Sequence, residues 1–280
     1  ENISIENCWL TCTPYPHDIS QFTSTGPNWA TSPGRGGSLT RNVQYKDCLI
    51  TYGDTGLMDI SGRSDNLVVK GCVFNWIRND AVKAQNYSVT NDFRLIDNWF
   101  PTRAAIRNGA HVDNVQFQGG QHWRRVCEGN FMMVKKFSPN SYQDLGQQGY
   151  FDQIEQSGPT AAVDWIYRQN IIFGNIQTGI RVASYNPTPA TTGMIIENND
   201  FGIGEVGDRG DPQMDADGYP GGLQYPHIWG DLGSGYVIRN NLQCYPIGRP
   251  TYPAYVGATD IQMTTGDKND SPRFNDFDAY

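Results

Sequence analysis

The sequence predicts an all-β solenoid of stacked parallel strands with long loop insertions. Three observations predict it: a short alternating pattern recurs along the whole chain, one position in that pattern is reserved for Cys, Asn or Gly, and the intervals between recurrences are irregular.

The pattern reads apolar, any, apolar, any, turn residue, marker, any, apolar. It matches "ISIENCWL" from Ile3, "VQYKDCLI" from Val43, "LVVKGCVF" from Leu67, "FRLIDNWF" from Phe93, "VQFQGGQH" from Val115, "WIYRQNII" from Trp165, "MIIENNDF" from Met194 and "YVIRNNLQ" from Tyr236. The last apolar position fails at His122 and Gln243. The markers are Cys8, Cys48, Cys72, Asn98, Gly120, Asn170, Asn199 and Asn241, separated by 40, 24, 26, 22, 50, 29 and 42 residues. Short intervals fit one coil, and the interval of 50 has room for a second.

Each part of the pattern has a physical reason. Period-two alternation buries one face of a short strand. The residue before the marker is Asn7, Asp47, Gly71, Asp97, Gly119, Gln169, Asn198 or Asn240, and all but Gln169 are types that tolerate positive φ. One strand per repeat cannot bury its own apolar face, so the repeats must stack and share a core. The marker then points inward, where Asn amides can ladder from rung to rung as in cross-β stacks. Cys is about as small and is at home in a core, so it can take the same place.

A leucine-rich repeat embeds the same spacing but also wants Leu three residues before the first strand position. Those places hold Thr40, Ser64, Thr90, Val112, Ala162, Thr191 and Gly233, so that rival fails. Over roughly its whole length the chain resembles the right-handed parallel β-helix proteins of the pectate-lyase-like type. The resemblance implies one right-handed parallel β-helix (solenoid) domain over residues 1–280. Both ends read as cut: Glu1 begins two residues before a complete rung, and "DSPRFNDFDAY" resembles a segment that many exported bacterial β-helix proteins continue further. The expected location is therefore secreted, extracellular or cell-surface.

Composition narrows the partners. A formal charge of -8 argues against nucleic acid, which needs a basic face. No stretch approaches the ~18 apolar residues of a membrane span. Six cysteines in 280 residues are not a disulfide scaffold. Cys48 and Cys72 hold equivalent places on adjacent rungs, about 4.8 Å apart, so they read as stacked buried thiols with a disulfide as the alternative.

A second strand upstream of the markers supplies the candidate chemistry. Met58-Asp59-Ile60, Val82-Lys83-Ala84, Ile106-Arg107-Asn108, Ile154-Glu155-Gln156 and Ile180-Arg181-Val182 align as one sheet, which turns Asp59, Lys83, Arg107, Glu155 and Arg181 outward as a column joined by Trp229. β-helix enzymes resembling this chain hold their substrates on such a face; the alternative is a solvated sheet whose charges pair across rungs. Asp59 and Glu155 lie roughly 14 Å or more apart, outside the ~5 to 9.5 Å that two-carboxylate glycosidases use. Elimination from a uronic acid fits the residue types better. Arg107 and Arg181 would neutralise the carboxylate, and Lys83 would serve as the base.

"YFDQIE", Tyr150 to Glu155, resembles the H-x-D-x-I-Q of exported β-helix proteins related to lyases and epimerases. Asp152 and Ile154 match, Tyr150 stands for the His, and Glu155 for the Gln. That resemblance makes Asp152 and Glu155 catalytic candidates, with Tyr150 as a substrate contact. His227 flanks the column beside Trp229 and is a further substrate-binding candidate. In "GDRGDPQMDADGYPGG" the carboxylates of Asp208, Asp211, Asp215 and Asp217 could ligate Ca²⁺, although a solvated loop explains them as well and the spacing is not that of an EF-hand.

The expectation is a secreted, carbohydrate-active protein, a polysaccharide lyase or C5-epimerase on a uronic-acid-containing glycan. A glycoside hydrolase using Asp152 with a loop carboxylate is one alternative. Another is a non-catalytic glycan-binding module, adhesin or tailspike-like rod. The partner is a polysaccharide in each case, and the chain is a monomer or a homotrimer.

Overall fold

A computed structural model describes residues 2–11, 29–33, 39–53, 55–60, 63–77, 79–85, 89–103, 113–118, 121–134, 146–154, 162–174, 176–184, 191–202, 227–230, 232–246 and 257–265. Among them every regular element is a strand. The strands form three parallel sheets of twelve, nine and seven strands, here sheets A, B and C. The chain visits them in the repeating order C, A, B, as in Thr55–Ile60, Arg63–Lys70 and Val73–Ile77. Strands pair with their counterparts one coil away, as Leu39–Lys46 lies against Arg63–Lys70; among the described strands only Leu242–Pro246 and Ile261–Thr265 are both paired and consecutive in sequence. The architecture is all-β, with stacked parallel sheets consistent with a parallel β-solenoid.

The corner between sheets A and B follows from the turn residues. Asn7, Asp47, Gly71, Asp97, Gly129, Gln169, Asn198 and Asn240 all have φ between 52° and 66°. At Gly71 a Cβ would meet the Asp47 carboxylate of the neighbouring rung, which would have to swing aside. A second left-handed column, Asn42, Asn66, Asp92, Arg124, Asp164, Gly193 and Gly235, bends each coil within sheet A.

Behind the first column the markers form a ladder. Asn98, Asn130, Asn170 and Asn199 each donate from Nδ2 to the Oδ1 of the next member, at 2.9–3.1 Å, ending on Asn241. The same oxygens accept the backbone N–H of the preceding rung at 2.9–3.1 Å. Each Nδ2 also donates to a strand carbonyl of the rung before, such as Asn98 to Val69 at 3.0 Å and Asn170 to Cys127 at 3.0 Å. Asp260 closes the series, accepting from Asn241 N at 2.9 Å and Asn241 Nδ2 at 3.1 Å. Towards the N-terminus Cys72, Cys48 and Cys8 take over, each thiol donating to a strand carbonyl. These cysteines are free thiols, as is Cys127.

One rung is not where the pattern put it. Asp113–Gln118, which contains "VQFQ", pairs with Val82–Gln85 and Gly146–Ile154 and so belongs to sheet C. The marker between Asn98 and Asn170 is Asn130, not Gly120. Its rung begins with Arg125 where its neighbours have Phe93 and Trp165, and the charge concealed it.

The core is built from the inward alternates. In sheet B these are Ile50, Phe74, Phe100, Met132, Ile172 and Phe201, all buried, with Phe74 and Phe100 stacked at 4.9 Å. In sheet C they are Leu57, Val82, Val115, Tyr150, Ile180 and Ile228, each at most 1% exposed.

Replacing Asn170 with Ala strips the acceptor from Asn130 N, Asn130 Nδ2 and Tyr150 Oη. Urea unfolding is expected to show a loss of about 3 kcal/mol; a loss of a few tenths would mean that the ladder contributes little. Burial pushes the thiols of Cys72 and Cys127 up to about 12 from an ordinary 9.0. Between those values the unfolded chain has lost protons that the folded chain keeps, so stability falls as pH rises from about 9 to about 12. Cys72→Ala should flatten that slope by up to about 1.4 kcal/mol per pH unit, measured as unfolding midpoints across the window.

Candidate functional site

Sheet C carries the candidate site on its outer face. Register fixes its column: Met58 pairs with Lys83, Lys83 with Gln116, Gln116 with Phe151, Phe151 with Arg181, and Arg181 with Trp229. Lys83, Arg181 and Trp229 therefore share the face that alternation assigned to them. Asp59 pairs with Ala84 and falls one position out of phase. Arg107 and Glu155 lie outside the described residues, and the column places expected for them are held by Gln116 and Phe151.

The two cations of the column differ in what surrounds them. Lys83 Nζ lies 2.6 Å from Asp80 Oδ2, with the Asp80 side chain fully buried. Asp80 Oδ1 in turn accepts the Asp113 backbone N–H at 3.1 Å. Lys83 is thus held as the partner of a buried carboxylate.

Arg181 is held by rings instead. Its guanidinium carbon lies 4.9 Å from the centroid of Phe151 and 4.5 Å from that of Trp229, on adjacent rungs to either side. No carboxylate among the described residues pairs with it, and its Nε is buried without a hydrogen-bond partner. Between the cations sits Gln116, 5% exposed, with a buried Oε1 that also has no partner. Cross-rung ion pairing is a habit of sheet A, where Arg124 meets Asp92 at 2.7 Å, Arg168 meets Glu128 at 2.7 Å and Arg239 meets Glu197 at 2.6 Å. Arg181 breaks that habit.

Asp152 and Tyr150 occupy the other phase of the same strand and face the core, each 1% exposed. Asp152 makes a bidentate pair with Arg125, at 2.6 and 2.7 Å, and Tyr167 Oη donates to the same carboxylate. Arg125 is packed over the rings of Phe117 at 4.3 Å and Trp165 at 3.8 Å. Burial is the largest single influence and opposes the Arg125 charge, but Asp152, Tyr167 and Cys127 together outweigh it and raise the guanidinium above its ordinary value. Tyr150 Oη donates to Asn170 Oδ1 at 2.9 Å, and burial lifts its phenol well above 10.0. Both residues stabilise the interior and, so placed, have no access to a chain lying on the surface. His227 is likewise fully buried, stacked on Phe201 at 5.3 Å.

Asp208, Asp211, Asp215 and Asp217 lie outside the described residues. Among the described residues no group of three or more His, Cys, Asp or Glu side chains could hold a metal ion.

Gln116, Phe151 and Asp80 were not singled out from sequence. Alternation in "DNVQFQ" would have found Gln116 had the strand not been read as a marker rung ending at Gly119-Gly120. No protein-family model matches the chain, and no curated protein matches it.

Asp152→Asn leaves Arg125 buried beside a neutral partner and is expected to cost about 3 to 5 kcal/mol. Arg125→Met with Asp152→Leu should recover most of that loss in the same denaturation measurement. Equal instability of the single and double variants would contradict the pairing.

Proposed function

We propose that this protein is a right-handed parallel β-helix of the pectate-lyase-like kind, secreted or displayed at the cell surface, that binds a uronic-acid-containing polysaccharide along the outer face of sheet C and acts on it as a lyase or C5-epimerase. One observation carries the reading: Arg181 is a half-buried guanidinium, clamped between Phe151 and Trp229, with no carboxylate partner among the described residues. A planar fork of donors is suited to bidentate capture of a carboxylate, and the half-buried Trp229 indole beside it suits the apolar face of a sugar. Right-handedness is the rule for parallel crossovers.

The column also constrains the chemistry. Lys83 and Arg181 are three rungs apart, about 14 Å, so they serve different sugar units. Arg181 holds a carboxylate in one subsite, and the rungs between the two cations are filled by Gln116 and Phe151, 5% and 4% exposed, which space the subsites rather than contact the polymer. Lys83, tied to Asp80, supplies positive charge to another subsite rather than acting as a base in its paired state.

That pairing favours a second reading, a non-catalytic glycan-binding rod, in which the same face holds the polymer without reacting. A glycoside hydrolase has less support, because Asp152 is committed to Arg125 inside the core.

The test incubates the protein with a panel of uronate polysaccharides and follows binding together with the ultraviolet absorbance of the unsaturated product. Arg181→Ala is expected to weaken binding about 30-fold, near 2 kcal/mol, with Arg181→Lys recovering only part of it. A rise in absorbance identifies the lyase. Solvent-proton exchange at C5 without that rise identifies the epimerase, and binding with neither identifies the rod. No binding to any uronate polymer overturns the proposal.

A further inference from the structure

The outward column of sheet B differs in kind from that of sheet C. Rung by rung it runs Trp9, Leu49, Val73, Trp99, Phe131, Ile171, Asp200, Leu242, Ile261. Eight of these nine residues are apolar, and Trp9, Leu49, Trp99 and Ile261 are 56%, 40%, 42% and 63% exposed. Val73, Phe131, Ile171 and Leu242 are half-buried and Asp200 interrupts the row; isolated exposed apolar side chains are ordinary, but an aligned column of them marks an interaction surface.

We propose that this stripe is the face through which two copies of the chain associate, antiparallel, about a two-fold axis at Phe131. Size is the first support. Eight steps of about 4.8 Å make the stripe about 38 Å long, so the ~800 Å² per partner of a standard stable interface requires a contact about 20 Å wide centred on it.

Composition is the second. Five of the nine residues are aliphatic, and the Trp9 indole N–H is already given to Thr51 Oγ1 at 2.7 Å. Such a surface offers a polar polymer little to bond, whereas another copy presents the same apolar side chains at the same rung spacing.

Asp200 chooses the orientation. Set parallel and in register, the two copies would place Asp200 against Asp200, two like charges in an apolar contact. Set antiparallel about Phe131, they place Asp200 against Val73, Trp9 against Ile261, Leu49 against Leu242 and Trp99 against Ile171. Both indoles then meet the smaller isoleucines, and every contact off the axis occurs twice, as an isologous interface requires.

Sedimentation velocity on the full chain, with circular dichroism to monitor the fold, tests this. The unaltered chain should sediment as a dimer, and Trp99→Glu should shift it to monomer by at least tenfold in dissociation constant with the dichroism unchanged. Leu49→Lys is the second disrupting variant, should Trp99→Glu fold poorly. Val73→Arg discriminates the geometry: antiparallel copies gain two Arg–Asp200 pairs and associate more tightly, whereas parallel copies set Arg against Arg. A monomer at the highest soluble concentration, dimers indifferent to both disrupting variants, or weakening by Val73→Arg would each overturn the proposal. Glycan binding on sheet C is a separate readout and does not enter the result.

Discussion

The amide ladder is the interaction on which the rest of the structure depends. Strand pairing alone would allow a coil to slip by one residue, which would turn every inward side chain outward. A slipped coil would also separate an Asn from the oxygen above it and from the carbonyl below it, leaving several buried donors unmade in each rung. The cost of an unmet buried donor is larger than the gain from a made one, so the ladder acts chiefly by penalising wrong registers. Register in sheet A then propagates to sheets B and C, because the same coil passes through all three.

That dependence explains how far the sequence was legible. Turn residues and markers are local, and Asn7, Asp47, Gly71, Asp97, Asn198 and Asn240 adopt the left-handed backbone that their types suggested, while Gln169 adopts it against its type. Arg125 was illegible because its partner is not local. A guanidinium at an inward position is tolerated only when a carboxylate reaches it, and Asp152 does so from another sheet, 27 residues further on. The same long-range fact moved Asp152 from the surface to the interior. Lys83, Arg181 and Trp229 were legible as a column because alternation and register are simple there. Asp59 missed by one position, since the sequence does not say which of two alternating residues near a strand end faces out.

Charge is used in three ways along this molecule. On the outside of sheet A it is spent pairwise, one rung against the next, where screening leaves each pair a small contribution. In the core the Arg125–Asp152 pair is expensive to break yet adds little over an apolar filling, so it specifies the arrangement more than it strengthens it. On sheet C, Arg181 is flanked by rings rather than by a carboxylate, the arrangement on which the proposed capture of an outside anion rests. The distinction between a structural and a recognition cation lies in the neighbours, not in the residue type.

The direction of the ladder has a consequence for how such a molecule can change length. Each Asn donates forward and accepts from behind, so any rung supplying one Asn could be duplicated or deleted between two others without leaving a bond unmade. Asp260 is different: its carboxylate only accepts, and its own backbone N–H turns back to Gly257 O at 3.0 Å. It works as a stop symbol in a message written with one repeated letter, so growth by rung duplication is open anywhere before it and closed after it.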